Sequence, residues 1–246
     1  MRSNPEHVRQ ALERWDGFPV DRDPRPVVLT GLSVTELDRL RADTRWRALF
    51  DGPAVPESEL PPQFLQAAID YCRDVQTRAQ RPLARIIRAP GPFGTDRGLH
   101  EFPAWMMYPA DRRWPFVALD PDFERRNTWR PEGLRAYSAS EPYSTIAADD
   151  RTLTYRFTGT PAAYAAYLSA EVYETKTAVL VEPVETPLDP PDSFRLAYAE
   201  DRQVVVRLAA PLGNRVLIWP AHGPGSDTFA SPRTVISADL QERADL

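Results

Sequence analysis

One cysteine, one lysine and three histidines are spread through 246 residues, and each scarcity closes off a class of chemistry. A single cysteine permits neither an intrachain disulfide nor a cysteine-based zinc site. Cys72 falls at the centre of an apolar helical face and reads as a buried structural thiol. The lone amine, Lys176, lies in a turn between strand-like runs, which leaves little for Schiff-base catalysis. His7, His100 and His222 are far apart in sequence and form no paired metal motif, so no metal is assigned. Glycine, at 11 residues, is below average usage. Neither a Walker loop nor Gly-x-Gly-x-x-Gly occurs, which weighs against P-loop nucleotides and Rossmann cofactors, and no cofactor is expected. The Gly-x-Ser-x-Gly elbow of hydrolases is missing too, with Gly223-Pro-Gly-Ser226-Asp227 only a partial echo.

Long apolar runs are equally scarce. No stretch nears the roughly 20 residues of a membrane span, and Met1 to His7 carries no apolar leader. The expectation is a soluble, cytoplasmic protein with no membrane partner. A net charge of −5 argues against general nucleic-acid binding, which needs a basic surface.

What is present is a globular composition: 42% hydrophobic and 26% charged residues, enough for one large core or two small ones. The 26 prolines are about twice average usage and scattered, so they read as turn and strand-end punctuation. Ser3-Asn4-Pro5 is a helix start, and Val8, Ala11, Leu12 and Trp15 share one face of the helix it opens. Pro26 to Thr30 reads as a short buried strand. Ser33-Val-Thr-Glu36 is a capping box. Pro61-Pro62 opens a helix whose apolar face runs from Phe64 to Val75.

From Pro82 the apolar period changes from helical to alternating. Leu83 to Arg88, Phe102 to Tyr108 and Phe116 to Leu119 read as strands, the last two as a hairpin. The cleanest β signal runs from Thr152 to Trp219: four strands at 152–159, 170–182, 203–213 and 215–219, with turns at Glu174-Thr-Lys-Thr177 and Pro211-Leu-Gly-Asn214. Residues 161–168 read as a short helix or a covering loop. The expected fold is α+β: N-terminal helices, then two largely antiparallel β-regions, the second a meander with sandwich-like character. Two regions are expected, 1–138 and 139–246, either sharing one core or folding apart.

Thr95-Asp-Arg-Gly98 with Phe102-Pro-Ala-Trp105 resembles the "TDRG…LPAW" stretch of a group of uncharacterised actinobacterial proteins. Leu153-Thr-Tyr-Arg-Phe-Thr-Gly159, Ala170-Glu-Val-Tyr-Glu-Thr175 and Arg207-Leu-Ala-Ala-Pro-Leu-Gly-Asn-Arg215 together resemble that group's closing β-region, of the type "LTVxFTG…APLGxR". The resemblance implies architecture and lineage. The group has no established activity, so it implies no mechanism.

Chemistry concentrates in Pro90 to His100, read as a glycine-rich loop that leads into Glu101-Phe-Pro-Ala-Trp105. Asp96 and His100 are candidate acid–base groups, Arg97 a candidate anion contact and Trp105 a candidate stacking wall. The competing reading has Asp96 capping backbone N–H groups, Arg97 pairing with a carboxylate and Trp105 in the core. Asp120-Pro-Asp-Phe-Glu124 spaces three carboxylates as calcium loops do, but Arg125 and Pro131 stand where an EF-hand needs glycine and glutamate. Asp120 therefore reads as the end of a strand. Trp114-Pro-Phe116 and Trp129-Arg-Pro131 suggest an aromatic–proline surface for a protein partner. The functional expectation leans away from an enzyme, toward a binding or interaction protein. The alternative is a hydrolase or isomerase of a small metabolite with its site at Asp96, Arg97 and His100.

Overall fold

The computed structural model describes residues 5–31, 44, 83–109, 116–132, 143–188, 199–220 and 230–238. The chain divides into two compact units, one of Met1–Ser33, Gly94–Gly98 and Thr128–Leu246, the other of Val34–Phe93 and Leu99–Asn127. Among the described residues, two helices and three mostly antiparallel sheets make a mixed α+β, β-rich fold. In chain order the elements are α1 (Pro5–Glu13), β1 (Leu83–Thr95), β2 (Gly98–Pro109), β3 (Phe116–Leu119), α2 (Pro121–Asn127), β4 (Ser144–Ile146), β5 (Thr152–Gly159), β6 (Ala165–Glu174), β7 (Ala178–Pro187), β8 (Glu200–Arg207), β9 (Val216–Pro220), β10 (Ala230–Pro232) and β11 (Val235–Ser237). The capping box at 33–36, the helix after Pro61-Pro62, Cys72, Trp114, His222, the hydrolase-like echo at 223–227 and the 138/139 boundary lie outside the described residues.

The first unit holds two four-stranded sheets, ordered β11-β4-β5-β8 and β10-β9-β7-β6. Alternation on β5 sends Leu153, Tyr155 and Phe157 into one core, where they meet Val204 and Val206 of β8, Val179 and Val181 of β7, Leu217 of β9 and Val235 of β11. Burial of each such side chain is worth about 1.5–3 kcal/mol against leaving it in water, so this interior fixes which faces turn inward. β7 does not alternate, because both of its faces are covered. Ala178 and Leu180, with Val216 and Ile218, belong to a second core closed by Val8, Ala11, Trp15, Phe18 and Val28. The expected α1 face is the one buried. Its other side carries Arg9, paired with Glu6 and Glu13.

Strand pairing departs from a simple meander. From β5 to β9, the only chain neighbours that pair are β6 and β7, joined by the Glu174–Thr177 turn. β5 pairs antiparallel with β8, and β7 pairs in parallel with β9. The physical reason is that β5 and β8 each offer one apolar face, while the doubly buried β7 needs a neighbour with two. Residues 165–168, read as helix or loop, open β6 instead, paired from Ala165↔Pro187 with an irregularity between Tyr167 and Ser169. Pro26 to Thr30 makes isolated bridges, Val27↔Thr128 and Leu29↔Thr95, with Val28 and Leu29 buried.

The two sheets are joined along both edges. On one side the chain passes from β10 to β11 through Arg233-Thr234, pinned by Arg233 N–H to the Leu217 carbonyl (2.8 Å) and Ser144 N–H to the Thr234 carbonyl (3.1 Å). On the other, side chains tie β6 to β8 and the residues after it. Arg202 donates to the Ala165 carbonyl (3.1 Å), Ala162 N–H to Glu200 (2.9 Å) and Ala209 N–H to Glu174 (2.6 Å).

In the second unit, β2 and β3 pair antiparallel from Ala104↔Leu119 to Met107↔Phe116, as the hairpin reading expects. Asp120 ends β3 and caps α2, accepting from the N–H groups of Asp122 (3.0 Å) and Phe123 (3.3 Å), with Pro121 in the first turn.

Candidate functional site

The stretch read as a glycine-rich loop is strand. β1 runs through Gly91-Pro-Phe-Gly-Thr95, β2 starts at Gly98, and only Asp96 and Arg97 occupy the turn. The glycines answer to crowding. A Cβ at Gly91 would lie 2.8 Å from both Ala104 Cβ and Val117 Cγ1, and one at Gly94 would lie 2.7 Å from the Gly31 carbonyl oxygen. Gly98, at φ +101°, supplies the left-handed residue that ends the turn. Thr95 Oγ1 locks the turn by donating to the Gly98 carbonyl (2.8 Å) and accepting from Arg97 N–H (3.0 Å).

Asp96 is 1% exposed. Arg25, whose side chain is itself 15% exposed, donates Nη1 to Oδ1 (3.1 Å) and Nη2 to Oδ2. The same guanidinium donates Nε to the Asn214 carbonyl (2.8 Å) and lies 4.8 Å from the Phe18 ring centroid. The backbone of Asp96 is equally occupied, its N–H on the Val28 carbonyl (2.9 Å) and its carbonyl receiving Val235 N–H (3.0 Å). Arg97 Nη2 donates to the carbonyls of Gly213 and Arg215, each at 2.7 Å. Burial pushes the Arg97 guanidinium below its ordinary value, with the Asp96 carboxylate pulling the other way. Thr234 Oγ1 completes the seat by donating to the Thr95 carbonyl (2.9 Å). Every polar group of Asp96 therefore has a protein partner.

His100 and Trp105 belong to the other unit. His100 is exposed and stacks on Phe102, centroids 6.0 Å apart at 17°. Phe102 stacks in turn on Phe123 of α2 at 4.9 Å and sits 6.1 Å from Phe93. Trp105 is 5% exposed, with the Arg88 guanidinium 5.4 Å from its ring centroid and its indole N–H without a hydrogen-bond partner. Arg88 also pairs with Asp120 at 2.9 Å. Trp105 thus sits where its core reading places it. Trp129 is half-buried, 5.3 Å from the centroids of both Trp15 and Phe18. Among the described residues, no group of three or more His, Cys, Asp or Glu side chains is placed to hold a metal ion, and no helix is long and apolar enough to cross a membrane.

Two polar centres carry no sequence signal of their own. Arg25 sits between Pro24 and Pro26, 71 residues from Asp96. Arg215 pairs with Glu174 at 2.7 Å, both largely buried, and donates to the Ala210 (2.8 Å) and Pro211 (2.7 Å) carbonyls. Burial alone would raise the Glu174 carboxyl. The Ala209 N–H, the Arg215 guanidinium and the Ala210 N–H outweigh it and hold Glu174 below its ordinary value. No family model matches this chain, and neither the curated proteins nor the solved structures contain a match to it.

Proposed function

We propose that the protein is a non-enzymatic binding or interaction protein of the cytoplasm, built on two facing sheets in a sandwich-like scaffold. The observation that carries this reading is the Asp96 carboxylate. The residue best suited by sequence to general acid–base work is buried, and both its oxygens are taken by Arg25. A general base must reach a substrate proton at hydrogen-bond distance, and this carboxylate is engaged in holding Arg25. Arg97 is likewise engaged by two backbone carbonyls. The alternative, a hydrolase or isomerase, retains His100, which is exposed. The single cysteine, which allows no intrachain disulfide, agrees with a reducing compartment. Kinship with the actinobacterial group belongs to the same proposal and rests on the segments at 95–105, 153–159, 170–175 and 207–215.

Incubation of the purified protein with a metabolite extract, followed by mass spectrometry of the bound and free pools, tests the reading. Binding predicts that a compound is retained in stoichiometric amount with no substrate depleted beyond one equivalent. Multiple turnovers that vanish in His100→Ala, with the thermal midpoint unchanged, would establish the enzyme instead.

A further inference from the structure

The outward face of the β11-β4-β5-β8 sheet carries an arginine, Arg156, that lacks the carboxylate partner several other arginines have. Arg25, Arg88, Arg202, Arg207 and Arg215 each have a carboxylate within 4.0 Å. Arg156, on β5, has none among the described residues. Its backbone N–H donates to Ser144 Oγ (3.2 Å), but its side-chain Nε is buried and makes no hydrogen bond. A second buried donor with no acceptor is the hydroxyl of Tyr143.

The register relates the two. β4 and β5 pair antiparallel through Thr145↔Thr154 and Ile146↔Leu153. The bond from Arg156 N–H to Ser144 Oγ sets Arg156 beside the start of β4, next to the residue that follows Tyr143. On the other side Arg156 pairs with Gln203 of β8. Leu153, Tyr155 and Phe157 fill the core, so Arg156 and Thr154 emerge on the opposite face. Arg156 is thus flanked by Gln203 of β8 and by the start of β4 that Tyr143 leads into, beside a row formed by Thr145, Thr154 and Val205. Tyr143 and Arg156 are half-buried as whole residues, while the Tyr143 hydroxyl and Arg156 Nε themselves are buried.

Buried donors are nearly always satisfied, and those that are not call for an explanation such as an ion or ligand. A guanidinium offers a planar fork of N–H groups matched to two oxygens of one anion. A tyrosine hydroxyl beside it adds a third donor. We propose that Tyr143 and Arg156 form a binding site for a small-molecule oxyanion, a carboxylate or phosphoryl group, on the outward face of this sheet. An apolar ligand leaves both donors unsatisfied, and a cation is repelled by Arg156. The site stands whether the protein turns a ligand over or only holds it, so it is independent of the choice between binding protein and enzyme.

The test is a titration of the ¹⁵N-labelled full chain with inorganic phosphate and, separately, with acetate, at constant ionic strength set by chloride. The arginine Nε–Hε resonance of Arg156, identified by its loss in Arg156→Gln, is expected to shift saturably. Saturation by phosphate alone assigns a phosphoryl ligand, and saturation by acetate alone or by both anions assigns a carboxylate-competent site. Tyr143→Phe, a mild change, is expected to weaken the affinity several-fold. Arg156→Lys, which keeps the charge but loses the fork, is expected to weaken it about tenfold. The proposal is overturned if neither anion moves the Arg156 resonance saturably. It is also overturned if Tyr143→Phe and Arg156→Lys, with unchanged thermal midpoints, bind as the parent does.

Discussion

Asp96 and Arg25 show at the scale of single residues how a buried charge acts on stability. Two ions taken from water cost several kcal/mol each, and their attraction offsets that only with good geometry and filled hydrogen bonds. Here the geometry is two-pronged, and the spare Nε of Arg25 is used by the Asn214 carbonyl. Removing one partner strands the other. Asp96→Ala is therefore expected to destabilise the protein by about 3–5 kcal/mol, read as a lowered midpoint in urea unfolding. The double variant Arg25→Met with Asp96→Leu, which removes both charges, is expected to recover most of that loss. If Asp96→Ala alone unfolds within 1 kcal/mol of the parent, on the order of a surface salt bridge, the pair is not the fastening that its burial implies. The candidate site residues were legible one at a time, because Asp, Arg, His and Trp declare their chemistry by type. The partner of Asp96 was not, because Arg25 reaches it through a turn and a strand contact separated by 71 residues.

Elements depend on where each side chain must go. The helix α1 was readable because a capping side chain, a first-turn proline and a 3.6-residue apolar period agree, and Val8, Ala11 and Trp15 are buried as that period requires. β5 and β8 were readable by alternation, since each has one wet face. Their pairing was not, because a strand's partner is chosen by the shape of the shared core rather than by its own sequence. Gly91 and Gly94 misled for a related reason: glycine in a strand signals close approach as often as it signals a turn. That distinction is testable. Gly91→Ala drives a Cβ to 2.8 Å from Ala104 Cβ and Val117 Cγ1, and Gly94→Ala drives one to 2.7 Å from a backbone oxygen. Each is expected to cost about 1–3 kcal/mol by overpacking. Gly213→Ala, at φ +51° with nothing within 4 Å, is expected to cost about 1–2 kcal/mol from backbone strain alone. Thermal unfolding that ranks Gly213→Ala as the most damaging of the three contradicts the packing account.

The molecule as a whole carries 35 acidic and 30 basic residues, so acid exposes it to two separable effects. One is general: as carboxylates protonate, the 30 basic groups repel one another without compensation. The other is local, and it belongs to carboxylates bound more tightly in the folded state. Asp149 accepts from the N–H groups of Thr152 (2.8 Å) and Arg151 (2.9 Å) and from the Thr152 hydroxyl (2.8 Å), which lowers it from 3.8 to about 2. Glu174 lies below its ordinary 4.5, the Ala209 N–H and Arg215 outweighing burial. A folded value below the unfolded one means that the unfolded chain binds more protons as pH falls. The stability from each group is full above its ordinary value and is lost as pH drops through the folded one. For Asp149 the window runs from 3.8 down to about 2, and for Glu174 it opens below 4.5. Urea midpoints taken at a series of pH values separate the two effects, because repulsion acts on every variant alike. Asp149→Asn and Glu174→Gln are each expected to start below the parent at neutral pH. Each should then lose less stability on acidification, so that their curves converge on the parent's at low pH. Glu174→Gln is expected to show the larger neutral-pH deficit, since it leaves a largely buried Arg215 without its carboxylate. Curves that stay parallel to the parent's from neutral pH to pH 2 assign the acid sensitivity to repulsion alone and remove both carboxylates as its cause.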